Sequence, residues 1–355
     1  MNTSFWDGKR VLITGHTGFK GSWLTIWLKM LRANVHGYAL DPPTEPNLYT
    51  LAGVDSGIVS VHGDTRDLSH LKSVMKAFQP EIVIHMAAQT IVRESYANPV
   101  ETMTVNVIGT VHVLEAAAEC KSVKVALVIT SDKCYENMQW SWGYRENDQL
   151  GGNDPYSCSK ACVELITKSY RASYFSPNGS RRSDAVIASA RAGNVIGGGD
   201  WAKDRLIPDV LRAIETGKCV KIRNPISTRP WQHVLVPLSG YLNLVERLWT
   251  GDTNYAQPWN FGPDDGDAKP VSWIVEYLCK KCGNGACWEL DDEAHPHEDT
   301  YLKLDCSSAQ VMLKWYPKIP LYKALDWIVE FYRAYLSGDD LRPIVESQIQ
   351  RFQEM

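Results

Sequence analysis

An α/β fold is what the sequence predicts, a doubly wound parallel sheet with helices on both faces, and three observations predict it. Short apolar, β-branched runs alternate with helical apolar patterns through the first half of the chain, and such alternation calls for parallel strands joined by crossover helices. A turn with three glycines separates the first strand from the first helix. The fifth run, 124–130, is nearly all apolar, as a strand covered on both faces should be. At 355 residues the chain has room for a second, smaller α/β lobe, and 44% hydrophobic with 22% charged residues is ordinary for a globular enzyme.

The first strand is Val11-Leu12-Ile13-Thr14, and Gly15, Gly18 and Gly21 follow before the helical pattern of 22–28. Glycines at those points leave room for a backbone that must approach a pyrophosphate, with the helix N-terminus facing the charge. The Gly-x-x-Gly-x-x-Gly spacing departs from the commoner Gly-x-Gly-x-x-Gly, so the strand and helix around it carry the assignment to a Rossmann-type turn; a tight βα turn without ligand is the alternative. The second strand, 34–40, ends at Asp41, twenty residues beyond Gly21. A carboxylate there accepts from the ribose hydroxyls and repels a 2′-phosphate, which favours NAD over NADP. A solvated turn acid before Pro42 and Pro43 is the competing reading. The third strand, 58–64, carries Asp64 at the end from which a side chain reaches the adenine edge.

A helix over 68–78, a buried strand over 81–88 ending in Ala87 and Ala88, and a long helix over 99–119 come next. Ligands of such sheets lie off the carboxyl ends of the strands, so the residues after 124–130 are the ones to search. They are Ser131-Asp132-Lys133. Asp154 suits a helix N-cap and Pro155 the first helical position, so Tyr156 and Lys160, four apart, share a face. A phenol is a poor base at neutral pH, but a nearby ammonium favours its phenolate. The sixth strand spans 184–190, a helix starts at 205–208, a short strand covers 220–223, and a helix over 235–249 returns to the sheet ahead of a strand end at 258–262. The amphipathic stretches 321–335 and 341–352 are terminal helices expected to pack.

With these residues in place the chain resembles the extended short-chain dehydrogenase/reductase family of nucleotide-sugar enzymes. The resemblance rests on 14–24, 85–89, 106–110, 130–133, Tyr156 with Lys160, 191–201, and 223–225 through 229–234, so it covers 11 to about 262. It implies an NAD-dependent internal redox cycle on a sugar nucleotide. The members most resembled act on CDP-glucose: C4 is oxidised, water leaves across C5 and C6, and the hydride returns to C6. By the resemblance Tyr156 is the base at the C4 hydroxyl, Lys160 holds the nicotinamide ribose and tunes Tyr156, Ser131 bonds near the C4 oxygen, and Asp132 is the acid for the departing C6 hydroxyl. It assigns the cofactor to Gly15, Thr17, Gly18, Phe19, Lys20, Gly21, Asp41, Asp64 and Ala87, beside Tyr156 and Lys160. It assigns the sugar nucleotide to Gln89, Asn194, Arg205, Arg223, Arg229 and His233. Asn194 suits a phosphate oxygen and Arg229 a bidentate pyrophosphate contact, with His233 orienting Arg229 or touching phosphate.

Lys133 departs from the better-known dehydratases of the family, which carry a glutamate there as the C5 base. An ammonium cannot accept a proton, so either burial neutralises Lys133 or it stabilises the enolate; a role in elimination is the expectation. The bland alternative is that Asp132 and Lys133 pair with each other. An epimerase of the family needs no acid for a leaving hydroxyl, so this pair argues for dehydration. A non-catalytic NAD-sensing protein on the same fold would show a broken catalytic set, whereas Ser131, Tyr156 and Lys160 are all present.

The expected NAD lobe is 1–193 with a returning segment at about 233–262, and the expected substrate lobe is 194–232 with 263–355. A net charge of -4 without a long basic run speaks against nucleic acid and membrane as partners. No signal-peptide or membrane-length apolar run is present, and nine scattered cysteines suit reduced thiols, so a cytoplasmic protein is expected. Cys279, Cys282, Cys287 and Cys306 can be drawn as zinc ligands, but the first pair lies inside a helical pattern, and thiol packing without a metal is the expectation. Relatives pair through the helices at 99–119 and 155–175, which makes a homodimer or homotetramer the expected assembly.

Overall fold

The computed structural model describes residues 2–175, 182–283, 287–291 and 301–355. Its centre is a seven-stranded, all-parallel sheet: β1 (Arg10–Thr14), β2 (Asn34–Ala39), β3 (Val59–His62), β4 (Ile82–His85), β5 (Val125–Ile129), β6 (Val186–Arg191) and β11 (Pro258–Asn260). The order is β11-β6-β5-β4-β1-β2-β3, and the reversal between β1 and β4 creates the crevice where such sheets bind ligands. Register is set by apolar matches such as Val11 opposite both Val35 and Ile82. Every residue of β4 and β5 is buried, which accounts for their apolar sequences, interrupted only by His85 at the end of β4.

Helices α1 (Phe19–Met30), α2 (Leu68–Phe78) and α3 (99–119) cross over between the early strands, and α3 passes through a π-helical turn at Thr104–Ile108. Helix α4 (Pro155–Ser173) starts as expected: the Asp154 carboxylate accepts from the Ser157 N–H at 2.9 Å, and Pro155 fills the first turn. The second lobe holds α5 (Leu206–Glu215) and short strands: β7 (Val195–Ile196) with β10 (Gln232–His233), β9 (Thr228–Pro230) with β12 (Ala268–Pro270), and β8 (Val220–Ile222) with β13 (Trp288–Leu290). Between them α6 (Leu235–Leu248) returns the chain to the sheet and α7 (Val271–Cys282) leaves it again.

Two expectations need correction. Residues 263–355 do not all belong to the second lobe. After α8 (Leu321–Ser337), α9 (Leu341–Gln353) packs on α1, with the Phe352 ring edge-on to Trp27 at 5.5 Å and the Arg342 guanidinium donating to the Gly53 carbonyl at 3.4 Å. Nor are all nine cysteines free: Cys219 and Cys287, 68 residues apart, form a disulfide with an S–S distance of 2.10 Å. They meet because β8 and β13 run parallel and each strand begins one residue later, a pairing that sequence spacing does not reveal. The other seven cysteines are free thiols, and among the described residues no cluster of three metal-ligating side chains forms. No helix of the described residues is long and apolar enough to cross a membrane.

Candidate active site

One cleft of about 1570 Å³ opens off the carboxyl ends of the strands and continues between the lobes. At its head lies the glycine turn. Gly15 has φ +77, and a Cβ on it would sit 2.8 Å from the Ala87 backbone; a Cβ on Gly21 would sit 2.1 Å from the Gly15 carbonyl oxygen. Both glycines are thus demanded by close backbone approach, and the turn lines the cleft at the start of α1, where a helix N-terminus favours a pyrophosphate. Thr17, Gly18, Phe19 and Lys20 line the same wall, and the Thr17 hydroxyl donates to the Leu40 carbonyl at 2.9 Å. Asp41 stands at the cleft edge, 90% exposed, with His62 Nε2 3.7 Å away. Asp64 also lines the cleft, but both its oxygens accept from the Arg66 guanidinium, which holds its carboxyl below the usual carboxylate range. These residues fit a dinucleotide with an exposed ribose carboxylate at Asp41.

Below the turn the cleft gathers Ser131, Asp132, Lys133, Tyr156 and Lys160. The first three follow β5 after Thr130, where Asp132 starts a single 3-10 turn. Tyr156 and Lys160 come from the first turns of α4, and the Ser95 hydroxyl accepts from the Tyr156 N–H at 3.2 Å. All but Lys133 are buried. The Ser131 hydroxyl donates to Asp132 Oδ1 at 2.9 Å, while Asp132 Oδ2 is buried with no hydrogen-bond partner. Gly193 presses on that carboxyl so closely that a Cβ there would lie 1.7 Å from Oδ2. Asp132 and Lys133 have no ion pair with each other among the described contacts.

The electrostatics differ from the sequence expectation in one respect. Burial pushes the Tyr156 phenol up to about 12, opposed by its Ser131 hydrogen bond and by the Arg205 charge, with Asp132 adding to the rise. Lys160 Nζ lies 6.0 Å from the centre of the Tyr156 ring. Burial also brings Lys160 down to about 8, against the pull of Glu164 one turn later. Lys20 falls to about 7 through burial and the nearby charges of Lys160 and Arg205, with Asp132 opposing. The structure brings these residues onto one wall of the cleft, but burial outweighs the Arg205 charge at the phenol, and Lys160 is not among the groups that act on it in the ligand-free protein.

Behind them lies a buried network that the sequence reading missed. Glu164 accepts from Ser189 at 2.7 Å and from Arg191 at 3.0 Å, and also from Thr130 at the end of β5. Arg191 in turn donates to the Tyr135 hydroxyl at 2.6 Å, which donates to Asn260 at 2.8 Å. This ties α4 to β5, β6 and β11 just behind the catalytic turn. The four-residue step from Lys160 to Glu164 was its one visible signal.

The expected sugar-nucleotide residues divide. Asn194, Arg205, Arg223 and Arg229 line the cleft. Arg205 donates to Asp200 at 2.8 Å and to the Thr90 hydroxyl at 2.9 Å, and Arg93 pairs with Asp204 at 2.9 Å, so the 200–205 loop is joined to the 90–93 loop across the cleft. Gln89 lines the cleft too, but its amide donates to the Ile91 carbonyl and the Thr102 hydroxyl, closing its own loop instead of offering a free contact. His233 is a correction. It is fully buried outside the cleft, its ring edge-on to Trp23 and Trp327, and its Nδ1 accepts from the Leu235 N–H at 3.3 Å. Burial lowers it to about 3, so it is a neutral core side chain.

Comparison with known proteins gives a concordant picture. The family model for GDP-mannose 4,6-dehydratase matches residues 12–326. The CDP-glucose 4,6-dehydratase of Salmonella typhimurium is 52% identical over 341 residues, covering 96% of this chain and 95% of that one. Among solved structures, the dTDP-glucose 4,6-dehydratase of Bacillus anthracis in complex with NAD superposes with a TM-score of 0.78 at 20% identity, covering 95% of this chain and all of that one. The UDP-glucose 4-epimerase of Thermotoga maritima gives 0.79 at 20% identity, over 92% of this chain and 99% of that one. At such identities the two structures speak for the fold.

Proposed function

The chain belongs to the GDP-mannose 4,6-dehydratase family, and from that premise we propose that it dehydrates CDP-glucose to CDP-4-dehydro-6-deoxyglucose with NAD as a resident cofactor. The observation that carries the reading is that Tyr156 with Lys160 and the buried carboxyl of Asp132 line one cleft beneath the glycine turn. Oxidation at C4 needs the first pair; loss of the C6 hydroxyl as water needs an acid, and Asp132 is that acid. An epimerase has no use for it. The half-identical relative supports cytidine as the base.

The glycine turn and Asp41 hold the dinucleotide. Bound there, NAD would supply hydride chemistry, accepting the C4 hydrogen with its electron pair for return at C6. Tyr156 takes the C4 hydroxyl proton, Lys160 holds the nicotinamide ribose, and Ser131 bonds at the C4 oxygen. Lys133 acts at C5, the position whose acidity rises once C4 is a carbonyl. Arg223, Arg229 and Asn194 take the diphosphate, and Arg205, whose charge acts on Tyr156, lines the same cleft. The enzyme works in the cytoplasm, a placement that its seven free thiols suit and against which the Cys219–Cys287 disulfide stands. It assembles as a homodimer or homotetramer through α3 and α4, which leave Val100 74%, Ile108 44% and Leu165 54% exposed.

The test is incubation with CDP-, dTDP-, UDP- and GDP-glucose, scoring the 4-keto-6-deoxy product. CDP-glucose should be converted fastest. Equal rates with all four would overturn the base assignment, and no product from any would overturn dehydration.

A further inference from the structure

We propose that the Cys219–Cys287 disulfide is a reversible redox switch on substrate affinity, opened by a dithiol and closed by a disulfide oxidant, which fixes or frees the strand end that brings Lys221 and Arg223 to the cleft. It rests on the reading above that Arg223 takes the diphosphate of the substrate.

The bond stands apart from the other thiols. Seven cysteines are free, as reducing surroundings leave them, and in such surroundings a disulfide is usually transient and serves sensing or catalysis. Cys219 and Cys287 are both exposed, which opens the bond to attack by a thiolate, and exposed disulfides are the labile ones. Its place in the fold gives the attack a consequence. Cys219 immediately precedes β8 and Cys287 immediately precedes β13, so the bond clamps the two parallel strands where they begin. The Val220 N–H donates to the Cys287 carbonyl at 2.8 Å, and at the far end the Asp291 N–H donates to the Ile222 carbonyl at 2.9 Å. The next residue of that strand is Arg223, and Lys221 and Arg223 line the cleft together with Arg229 and Asn194. The clamped ladder therefore ends at the arginine that the diphosphate needs.

Little else holds β13 in place. Among the described residues it pairs with β8 alone, over three residues. Trp288 is half-buried against the core, while Glu289 and Leu290 are exposed. A two-stranded pair without further strands is marginal in water, and parallel pairing is slightly weaker per residue than antiparallel. β8 is better anchored, because Val220 and Ile222 are both buried. Reduction thus releases β13 and takes the ladder partners from Val220 and Ile222, with the core beneath them and the glycine turn left as they were. The backbone next to Arg223 then has more freedom to lose when a diphosphate binds, and that loss is read as weaker affinity.

The chemistry is thiol–disulfide exchange. One thiolate of the dithiol attacks a sulfur of the bond, the S–S bond breaks with its electron pair on the departing cysteine sulfur, and that sulfur takes a proton. The second thiolate of the dithiol then attacks the mixed disulfide and releases the other cysteine, which is protonated in turn. Two electrons and two protons pass from the dithiol to the protein, and the dithiol ends as a disulfide. Closure is the reverse, with a disulfide oxidant taking back the two electrons and two protons.

The experiment compares the NAD-loaded parent, treated with oxidised or with reduced dithiothreitol, and the double variant Cys219→Ser, Cys287→Ser. Maleimide labelling with mass spectrometry counts the thiols, steady-state kinetics on CDP-glucose gives KM and kcat, titration gives NAD affinity, and hydrogen exchange reads the amides of 220–223. Reduction should take the parent from seven free thiols to nine. It should raise KM about tenfold, the size of one charge-assisted hydrogen bond, with kcat and NAD affinity within about twofold. Exchange at 220–223 should quicken, re-oxidation should reverse both changes, and the double variant should behave as the reduced parent and ignore dithiothreitol. Equal KM before and after a proven change from seven thiols to nine would show that the bond does not act on the cleft. Nine thiols in the oxidised sample would show that the bond does not form, and kcat and NAD affinity falling along with KM would show general loosening; either result overturns the switch. If neither redox state turns over CDP-glucose, the substrate reading falls, and the switch is judged separately by exchange: amides of 220–223 that follow the redox state uphold it, and amides that ignore it overturn it.

Discussion

Replacing Gly193 by alanine should disable water loss while sparing the cofactor site. The added Cβ would stand 1.7 Å from Asp132 Oδ2 and 2.1 Å from its Cγ. To restore ordinary contact near 3.4 Å the carboxyl must withdraw by roughly 1.7 Å, and it has little room, being 2% exposed and held by Ser131. Displacement of a reacting group by an ångström costs on the order of a hundredfold in rate. Overpacking of this kind also costs about 1–3 kcal/mol in stability, a melting shift of a few degrees in a chain of this size. The assay is single-turnover kinetics on CDP-glucose beside calorimetric titration with NAD. Water loss should drop about a hundredfold with NAD affinity within about twofold of the parent, since the glycine turn is untouched. A Gly193→Ala protein that eliminates water at the parental rate would show that Asp132 is not held where the chemistry needs it, and the positional argument would fail.

Other perturbations follow from the same geometry. Asp132→Asn should still oxidise C4, seen as a burst of reduced nicotinamide, but lose water about 10²–10⁴ times more slowly; parental water loss would remove Asp132 as the acid. Lys133→Met should slow incorporation of solvent deuterium at C5, read by mass spectrometry of the product, and exchange as fast as in the parent would exclude Lys133 from that step. For pH, burial lowers Lys20 to about 7 and Lys160 to about 8 from an ordinary 10.5, so between about pH 7 and 10.5 the unfolded chain binds more protons than the folded one. Stability of the ligand-free protein from these two groups therefore rises with pH through that window, and their charged forms cost stability below it. Lys20→Met should flatten the rise in denaturant titrations and stabilise the protein at pH 6, by roughly 5 kcal/mol at most; an unchanged slope would show that Lys20 is not desolvated.

How legible these features were in the sequence depended on how far each reached through space. β1, its glycine turn and α1 are local: apolar alternation, Gly15 and Gly21 fix them within twenty residues, and the structure forms them there. Tyr156 and Lys160 were readable because helix spacing and the Asp154 cap decide their common face. His233 misled because its neighbourhood reads as ligand-binding, while its environment is made by Trp23 and Trp327, from distant parts of the chain. Gln89 was rightly drawn to the cleft, but nothing in its sequence tells that its amide is taken by Ile91 and Thr102. The disulfide, the Arg191–Glu164 pair and the straps from Arg93 and Arg205 likewise join residues that only tertiary packing brings together.

The packing of α9 on α1 sets an order of events during synthesis. More than 300 residues separate the two helices, so at ordinary ribosomal speeds the segment carrying the glycine turn waits roughly tens of seconds for the helix that covers Trp27. Until then one flank of α1 stays wet. Nascent chains should therefore capture dinucleotide late, after α9 clears the exit tunnel, and the same exposed flank is where a chaperone would find the unfinished protein.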